Sequence, residues 1–307
     1  MKYQNWIIIF FLSSIITLSL LVFFLVIIHN YKVDRTLLEK EPLIGNNKKL
    51  EMLIGGDSAA KYGIIPEILS TKLNINNNSV FNLAGGNGDI ISFFNLLKKN
   101  NIAGVNIIFS VSTYQINDGI KIDHYFPYAY MQEMGFFNLI EFLYPNNLDT
   151  LYLYFRKKIP YILFPFKKYP TLPDNNGYIS LHGSLEDIEK FNFANIWYKD
   201  FKIDGFKFDL FKKYLFELKE HNKNVILFSG PYAPSYIEKY KNTNYIKFEI
   251  EFRNRINALS SDLEIQYLDY FNSILFNDGD FNDIIHLNHD GSKKLTEDIY
   301  KNINLNN

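Results

Sequence analysis

The segment LEMLIGGDSAA, residues 50–60, joins a short apolar run to two glycines, an aspartate and a serine. An apolar run of this length that ends at glycine predicts a buried β-strand. The residues that follow have helical periodicity, so the glycines mark a tight turn from a strand into a helix. The segment therefore predicts the first unit of an α/β domain built on a parallel sheet.

The same alternation of apolar runs and helical segments continues to the carboxyl terminus. The predicted strands cover residues 50–54, 79–83, 105–112, 224–229 and 264–268. The predicted helices cover residues 60–73, 89–100, 206–221, 236–259 and 292–303. This order predicts a mostly parallel five-stranded sheet with helices on both faces, a three-layer α/β fold.

Residues 113–205 interrupt this rhythm, because they are dense in tyrosine, phenylalanine and proline and have no simple period. We interpret them as an insertion packed over one end of the sheet. Aromatic side chains there could stack on sugar rings or lie against lipid, since they combine apolar bodies with polar tips. A compositional bias toward Phe, Tyr, Ile, Asn and Lys explains the same residues without any role in binding.

The amino-terminal residues 6–28 form an apolar run without a charged residue. At ~1.5 Å per residue, a helix of this length spans the ~30 Å hydrocarbon core of a bilayer. A cleavable signal peptide has a shorter apolar region and a small-residue cleavage site, so a retained signal anchor over residues 1–30 is favoured. A polar linker, residues 31–48, leads to the domain at 49–307. The flanking charges do not determine which side of the membrane holds that domain.

Composition excludes several classes of function. The formal net charge is -1 and the charges are scattered, so no nucleic-acid partner is expected. The chain has no cysteine, which excludes disulfides, thiolate metal sites and a cysteine nucleophile. His286 and His289 have no recognisable third ligand, so neither a metal nor another cofactor is predicted.

Two polar segments are candidates for chemistry. Ser58 follows the first strand and begins a helix, where a hydroxyl is well placed for acyl transfer, although Asp57 or Ser58 can equally serve as a helix cap. Asp283 lies three residues before His286, and a turn there would let the carboxylate fix the tautomer of the imidazole. Alternatively, His286 is a packing residue and Asp283 a turn former.

Together, the strand-Gly-Asp-Ser-helix opening and the Asp-x-x-His-Leu-Asn-x-x-Gly ending at 283–291 resemble the first and last blocks of the SGNH hydrolase superfamily. The closest likeness is to its membrane-anchored branch, which includes the D-alanyl transfer protein DltD and the alginate acetylation proteins. The resemblance implies a flavodoxin-like fold and an extracytoplasmic domain that moves or removes acyl groups on cell-envelope polymers. It implies Ser58 as nucleophile, His286 as general base and Asp283 as its orienting partner.

The resemblance also implies an oxyanion hole. Its donors would be the backbone N–H of Ser58 and of a glycine after the second strand, first Gly86 and then Gly88. A phosphate-cradling loop is the rival interpretation of these glycines, but the lysine that such a loop requires is missing. The Gly-x-Asn-Asp block of the family is also missing: Thr113 or Gln115 lies nearest its place. The Pro-containing loop 229–232 resembles one that shapes the acyl pocket.

The sequence therefore predicts a membrane-anchored serine esterase or O-acyltransferase that acts on acylated carbohydrate of the cell envelope. The missing third block supports an alternative, a catalytically inactive SGNH-like module that binds glycan-modifying partners such as a membrane-bound O-acyltransferase. A membrane-anchored nucleotide-binding protein is a third interpretation, which depends on residues 85–88 alone.

Overall fold

A computed structural model of the chain describes residues 40–45, 49–86, 88–119, 175–185, 197–198 and 200–305, with residues 6, 10–15, 19 and 133 besides. Within them lies a five-stranded parallel sheet, as predicted. Its strands are β1 (Met52–Gly55), β2 (Val80–Asn82), β3 (Asn106–Ser110), β4 (Asn224–Ser229) and β5 (Gln266–Asp269). Their order is β2-β1-β3-β4-β5, the flavodoxin-like arrangement.

Helices cover both faces of the sheet. They are α1 (Ser58–Gly63), α2 (Pro66–Leu73), α3 (Ile90–Lys99), α4 (Thr113–Ile116), α5 (Phe206–His221), α6 (Pro234–Tyr240), α7 (Asn244–Asp262) and α8 (His289–Asn302). Helices α3 and α5 pack together on one face, and α1, α2 and α8 pack together on the other. This is the predicted three-layer architecture.

Strands β1 to β4 are mostly apolar because they are buried on both faces, whereas the edge strand β5 is only partly buried and includes Gln266 and Asp269. In β3, Ile107 and Phe109 join one core cluster and Ile108 joins the other. Alternate residues of β4 divide between the clusters in the same way. A strand buried on both sides shows no polar alternation in sequence, which is why continuous apolar runs identified β1 to β4.

Two predicted helices are wrong as single elements. The helix predicted at 60–73 is divided between α1 and α2, because Ile65 takes extended dihedrals (φ −100°, ψ 106°) before Pro66. The residue before a proline is forced out of the helical region, and Pro66 then begins the new helix. The helix predicted at 236–259 is likewise divided between α6 and α7, where Thr243 is extended (φ −97°, ψ 165°).

Much of the predicted insertion lies outside the described residues, and so do most of the predicted anchor and much of the linker. Within the described part of the chain, no helix combines the length and the apolar character needed to cross a membrane. Of the insertion, residues 175–177 lie beside the edge strand β2, where Asn176 Nδ2 donates to Asn77 O just before that strand. Further along, Leu181 O accepts from the backbone N–H of His289 at the start of α8 (2.9 Å).

Candidate active site

The turn after β1 places Ser58 at the first position of α1. Gly56 has φ +104°, and a Cβ built there would lie 2.3 Å from Ser110 Oγ, so only glycine fits. Asp57 caps α1 by accepting from the backbone N–H of Ala59 (3.0 Å). Ser110 Oγ donates to Asp57 Oδ1 (2.6 Å) and accepts from the Asp57 backbone N–H (2.8 Å). The turn is therefore fixed to the end of β3.

Ser58 itself is half-buried, and its side chain forms no hydrogen bond with any residue that the structure describes. Its backbone N–H is one of the first-turn donors that have no intrahelical partner. Ser58 thus offers a hydroxyl and an N–H donor at the same place. Asp57 accounts for the capping role, so the serine is not needed for it.

Asp283 and His286 are brought together by a tight turn before α8. His286 Nδ1 lies 2.6 Å from Asp283 Oδ2. Asp283 Oδ1 accepts from the backbone N–H groups of Ile285 (3.0 Å) and His286 (2.9 Å). Burial alone would raise the pKa of Asp283, but the hydrogen bond and charge of His286 and the two backbone donors lower this pKa below its usual value.

The other ring nitrogen of His286 points away from Asp283. A carboxylate only accepts hydrogen bonds, so Nδ1 carries the proton and Nε2 presents the lone pair of the neutral ring. This Nε2 is buried and has no hydrogen-bond partner among the described residues. The His286 ring contacts Tyr62, with centroids 5.2 Å apart and the rings edge to face.

Tyr62 lies one turn after Ser58 on the same face of α1. The contact between Tyr62 and His286 therefore brings the imidazole to the helix face that begins with Ser58. No hydrogen bond joins Ser58 Oγ to His286 Nε2 in the described part of the chain. Catalytic hydrogen bonds are often long in the absence of substrate and tighten when it binds.

The glycine loop after β2 packs on the nucleophile turn through backbone atoms. Gly85 N donates to Gly56 O (3.0 Å), and a Cβ at Gly88 would lie 1.9 Å from the same oxygen. Gly88 is buried in this contact, whereas Gly86 is half-buried and has no heavy atom within 4 Å of its Cβ position. Gly86 thus lies on the open side of the loop.

The residues nearest the missing third block have other partners. Thr113 Oγ1 donates to Glu249 (2.5 Å), and Gln115 Nε2 donates to Gly88 O (2.7 Å), which supports the glycine loop from beneath. Asn117 and Asp118 bind backbone groups around residues 197–207. Ser112, directly before Thr113, instead contacts the nucleophile turn by donating to Asp57.

A small cleft opens beside Ser58. Its described lining is Asp57, Ser58, Ala59, Ser112, Tyr114, Trp197, Gly230, Pro231, Tyr232, Glu249, Arg253 and Ile285. The loop after β4 is among them, as the sequence analysis expected of a pocket-forming loop. The sequence analysis did not identify Glu249 and Arg253 as site residues. Their signal is that both are charged residues on the buried stripe of α7, where helical periodicity predicts apolar residues.

No family profile matches this chain, and no curated protein matches it in sequence. A solved protein from Streptococcus pneumonia, provisionally described as a platelet activating factor, is similar in structure at 12% sequence identity with a TM-score of 0.38. The match covers 93% of this chain and 97% of that one. At this identity and overlap, nothing about the function of that protein is carried over to this chain.

A metal centre has no support within the described residues. No group of three or more histidine, aspartate or glutamate side chains is placed there to hold a metal ion. His289 lies 6.1 Å from His182, ring centroid to ring centroid, and its Nδ1 is near Ser180 Oγ (3.3 Å).

Proposed function

We propose that the chain is a serine esterase or O-acyltransferase of the SGNH type, with Ser58 as nucleophile, His286 as general base and Asp283 as its orienting partner. One observation carries the proposal. Asp283 fixes Nδ1 of His286, and the buried Nε2, unpaired among the described residues, lies beside the helix that begins with Ser58. This is the tautomer that accepts a proton from a serine hydroxyl.

The reaction would proceed through an acyl-enzyme. Ser58 Oγ attacks the ester carbonyl carbon while its proton passes to His286 Nε2. The tetrahedral intermediate then expels the alcohol oxygen, which takes that proton and leaves the acyl group on Ser58. Water or a sugar hydroxyl attacks the acyl-enzyme and gives its proton to Nε2, which returns the proton to Ser58 as the acyl group departs. Asp283 stabilises the imidazolium formed in both halves.

The negative charge on the carbonyl oxygen needs fixed donors, each worth roughly 3–4 kcal/mol of transition-state stabilisation. We assign this role to the backbone N–H of Ser58 and to Gly86, with Gly88 as the second choice. The open position of Gly86 and the packing of the loop on Gly56 support this order.

We further propose that the substrate is an acyl ester of a cell-envelope carbohydrate and that residues 6–28 hold the domain at the outer face of a membrane. Support comes from the apolar run, the aromatic insertion and the family resemblance. Hydrolysis and transfer use the same residues and differ in which acceptor reaches the acyl-enzyme. A membrane-bound O-acyltransferase is the partner that fits transfer.

A second candidate is an inactive module that binds such partners. It is favoured by the absence of a hydrogen bond between Ser58 and His286 and by the engagement of Thr113 and Gln115 with other groups. In that case the Asp283–His286 turn would serve only to hold the start of α8.

Labelling of the purified full-length chain with a fluorophosphonate probe separates the two candidates. The esterase proposal expects labelling that is lost in Ser58→Ala and falls strongly in His286→Ala. Ser235→Ala, which changes a serine at the start of α6 that donates to Asp278 (2.9 Å), and His289→Ala are the matched controls and should label normally. A folded wild-type chain that takes up no probe favours the inactive module.

A further inference from the structure

Helix α7 carries an ion pair inside the protein. Glu249 is 1% exposed and Arg253 is 5% exposed, and Arg253 Nε donates to Glu249 Oε1 across one helical turn (2.7 Å). The other buried positions of this stripe include Ile246, Phe252 and Ile256. Replacing a buried ion pair with apolar residues is often neutral or stabilising, so stability alone does not explain why charges occupy these positions.

Glu249 collects hydrogen bonds from two other parts of the chain. Its Oε2 accepts from Thr113 Oγ1 (2.5 Å), directly after β3, and from the Tyr198 hydroxyl (2.7 Å), within the insertion. Burial, and then the charge of Glu249, raises the pKa of Tyr198 well above its usual value. Tyr198 therefore keeps its proton and remains a donor to the carboxylate.

Arg253 extends the same network to the next two loops. Its Nη1 donates to Asp269 Oδ1 at the end of β5, and its Nη2 donates to Gly230 O (3.1 Å) after β4. The guanidinium also lies over the Phe271 ring, 4.7 Å from the centroid. The pair thus connects helix α7 to the loops that follow β3, β4 and β5.

The loops after β3 and β4 line the cleft beside Ser58. Glu249 and Arg253 line this cleft together with Tyr114, Trp197 and other residues named above. Its cavity volume is about 20 Å³. A single water needs roughly 10–15 Å³ by this measure, so the cleft has room for a group of about methyl size. A longer chain would enter only if the loops moved apart.

We propose that the Glu249–Arg253 pair positions these loops and thereby restricts the acyl group that reaches Ser58 to short chains such as acetyl. The proposal depends on the esterase function proposed above. Both side chains are positioning residues, because they contact the loops rather than the reacting atoms. Loss of their hydrogen bonds lets the loops separate, which widens the cleft and admits longer acyl chains.

The test compares hydrolysis of p-nitrophenyl acetate and p-nitrophenyl butyrate by the full-length chain, with kcat and KM measured separately. Wild type should prefer acetate by about 10-fold or more in kcat/KM, the discrimination that one or two methylenes give in a tight pocket. Glu249→Gln and Arg253→Lys should reduce this preference to about 2-fold, mainly by lowering KM for butyrate. Thr113→Val and Tyr198→Phe remove one hydroxyl each and keep the ion pair. They should reduce the preference for acetate by a smaller amount.

Tyr270→Phe is the matched control, since the Tyr270 hydroxyl also donates to a carboxylate, Asp298 (2.9 Å), away from the cleft. It should leave the preference unchanged. If the charge variants do not fold, Thr113→Val and Tyr198→Phe decide the question. An active wild type whose preference survives in all folded variants overturns this proposal alone. A wild type that neither hydrolyses esters nor takes up the fluorophosphonate overturns the esterase function as well.

Discussion

The two halves of the candidate site are held together in different ways. Asp283 and His286 are three residues apart, and the hydrogen bonds that Asp283 accepts lie within residues 283–286. The turn that carries Ser58 depends instead on Ser110, more than fifty residues away. The base half is therefore a local structure, whereas the nucleophile half depends on the pairing of β1 with β3.

The pairing of β1 with β3 explains the contact between the nucleophile turn and Ser110. Gly55 pairs with Phe109 at the ends of the two parallel strands, so the next residues along, Gly56 and Ser110, meet at the edge of the sheet. A change in the base half should therefore impair the chemistry and leave the joint between the two strands intact. A change in the nucleophile half should impair both, because it loosens the joint between two strands.

The largest effect should come from Asp283→Asn. The amide cannot hold the imidazole in the tautomer with a free Nε2, and a change of this kind in a serine triad lowers kcat by about 10⁴-fold. Steady-state hydrolysis of p-nitrophenyl acetate measures the loss. Asp290→Asn, an exposed acid in the first turn of α8, is the control. A loss smaller than about 10-fold would contradict the role of Asp283.

The same variant should change the response of the fold to acid. Because the pKa of Asp283 is lowered in the folded chain, its contribution to the free energy of unfolding is present above the unfolded-state pKa. That contribution is lost as pH falls through the folded-state pKa. The stability difference between wild type and Asp283→Asn should therefore be constant near neutral pH and shrink in strong acid, as urea titrations at several pH values would show.

Asp57→Asn should destabilise the turn that carries Ser58. The buried carboxylate accepts from Ser110, Ser112 and the Ala59 backbone N–H, and losing charge-assisted bonds of this kind costs about 2–3 kcal/mol of unfolding free energy. Activity should fall by about 100-fold as Ser58 shifts. Urea denaturation and the same ester assay measure the two effects.

Asp89→Asn is the matched comparison. Asp89 is also buried and caps a helix, but the serine that donates to it, Ser92 (2.7 Å), lies only three residues away. It should destabilise the chain without detaching β1 from β3. If Asp57→Asn reduced stability and activity no more than Asp89→Asn, the long-range joint would have no special role.

This contrast also explains what the sequence could predict. The Asp-x-x-His pattern identified the base half because its partners are neighbours in the chain. Strands β1 to β4 were found because their burial on both faces leaves continuous apolar runs. Ser110 and Ser112 were not recognised as supports of Asp57, since their contact depends on a strand register that no local pattern encodes. Glu249 and Arg253 were missed because helical periodicity was judged by its apolar members.

Lys40→Met tests a second long-range contact next to the nucleophile half. Lys40 Nζ is buried and donates to Asn82 O (3.0 Å), Ala84 O (2.7 Å) and Gly177 O (2.9 Å), just before the glycine loop. Burial, and then repulsion by Lys61, lowers the pKa of Lys40 to about 7. Between pH 7 and about 10 the unfolded chain holds a proton that the folded chain lacks, so stability should rise with pH.

The slope from this group is about 1.4 kcal/mol per pH unit at most, and Lys40→Met should remove it. Unfolding free energies at pH 7.5 and 9 measure the change. Lys72→Met, an exposed lysine in the last turn of α2, is the control and should retain the rise. If unfolding free energy rose with pH equally in wild type and Lys40→Met, the Lys40 amine would have the same pKa in the folded and the unfolded chain.

The smallest expected effect is a difference in unfolding free energy between variants of the two serines that donate to Asp57. Ser112→Ala removes one donor to the carboxylate and should cost about 0.5–1.5 kcal/mol of unfolding free energy. Ser110→Ala should cost more, because Ser110 Oγ both donates to the carboxylate and accepts from the Asp57 backbone N–H. Since Ser110 ends β3 and Ser112 lies beyond it, this difference in unfolding free energy measures how far the position of the nucleophile depends on the sheet itself. Equal losses would instead assign the support of Ser58 to the carboxylate of Asp57, independent of which strand supplies its donors.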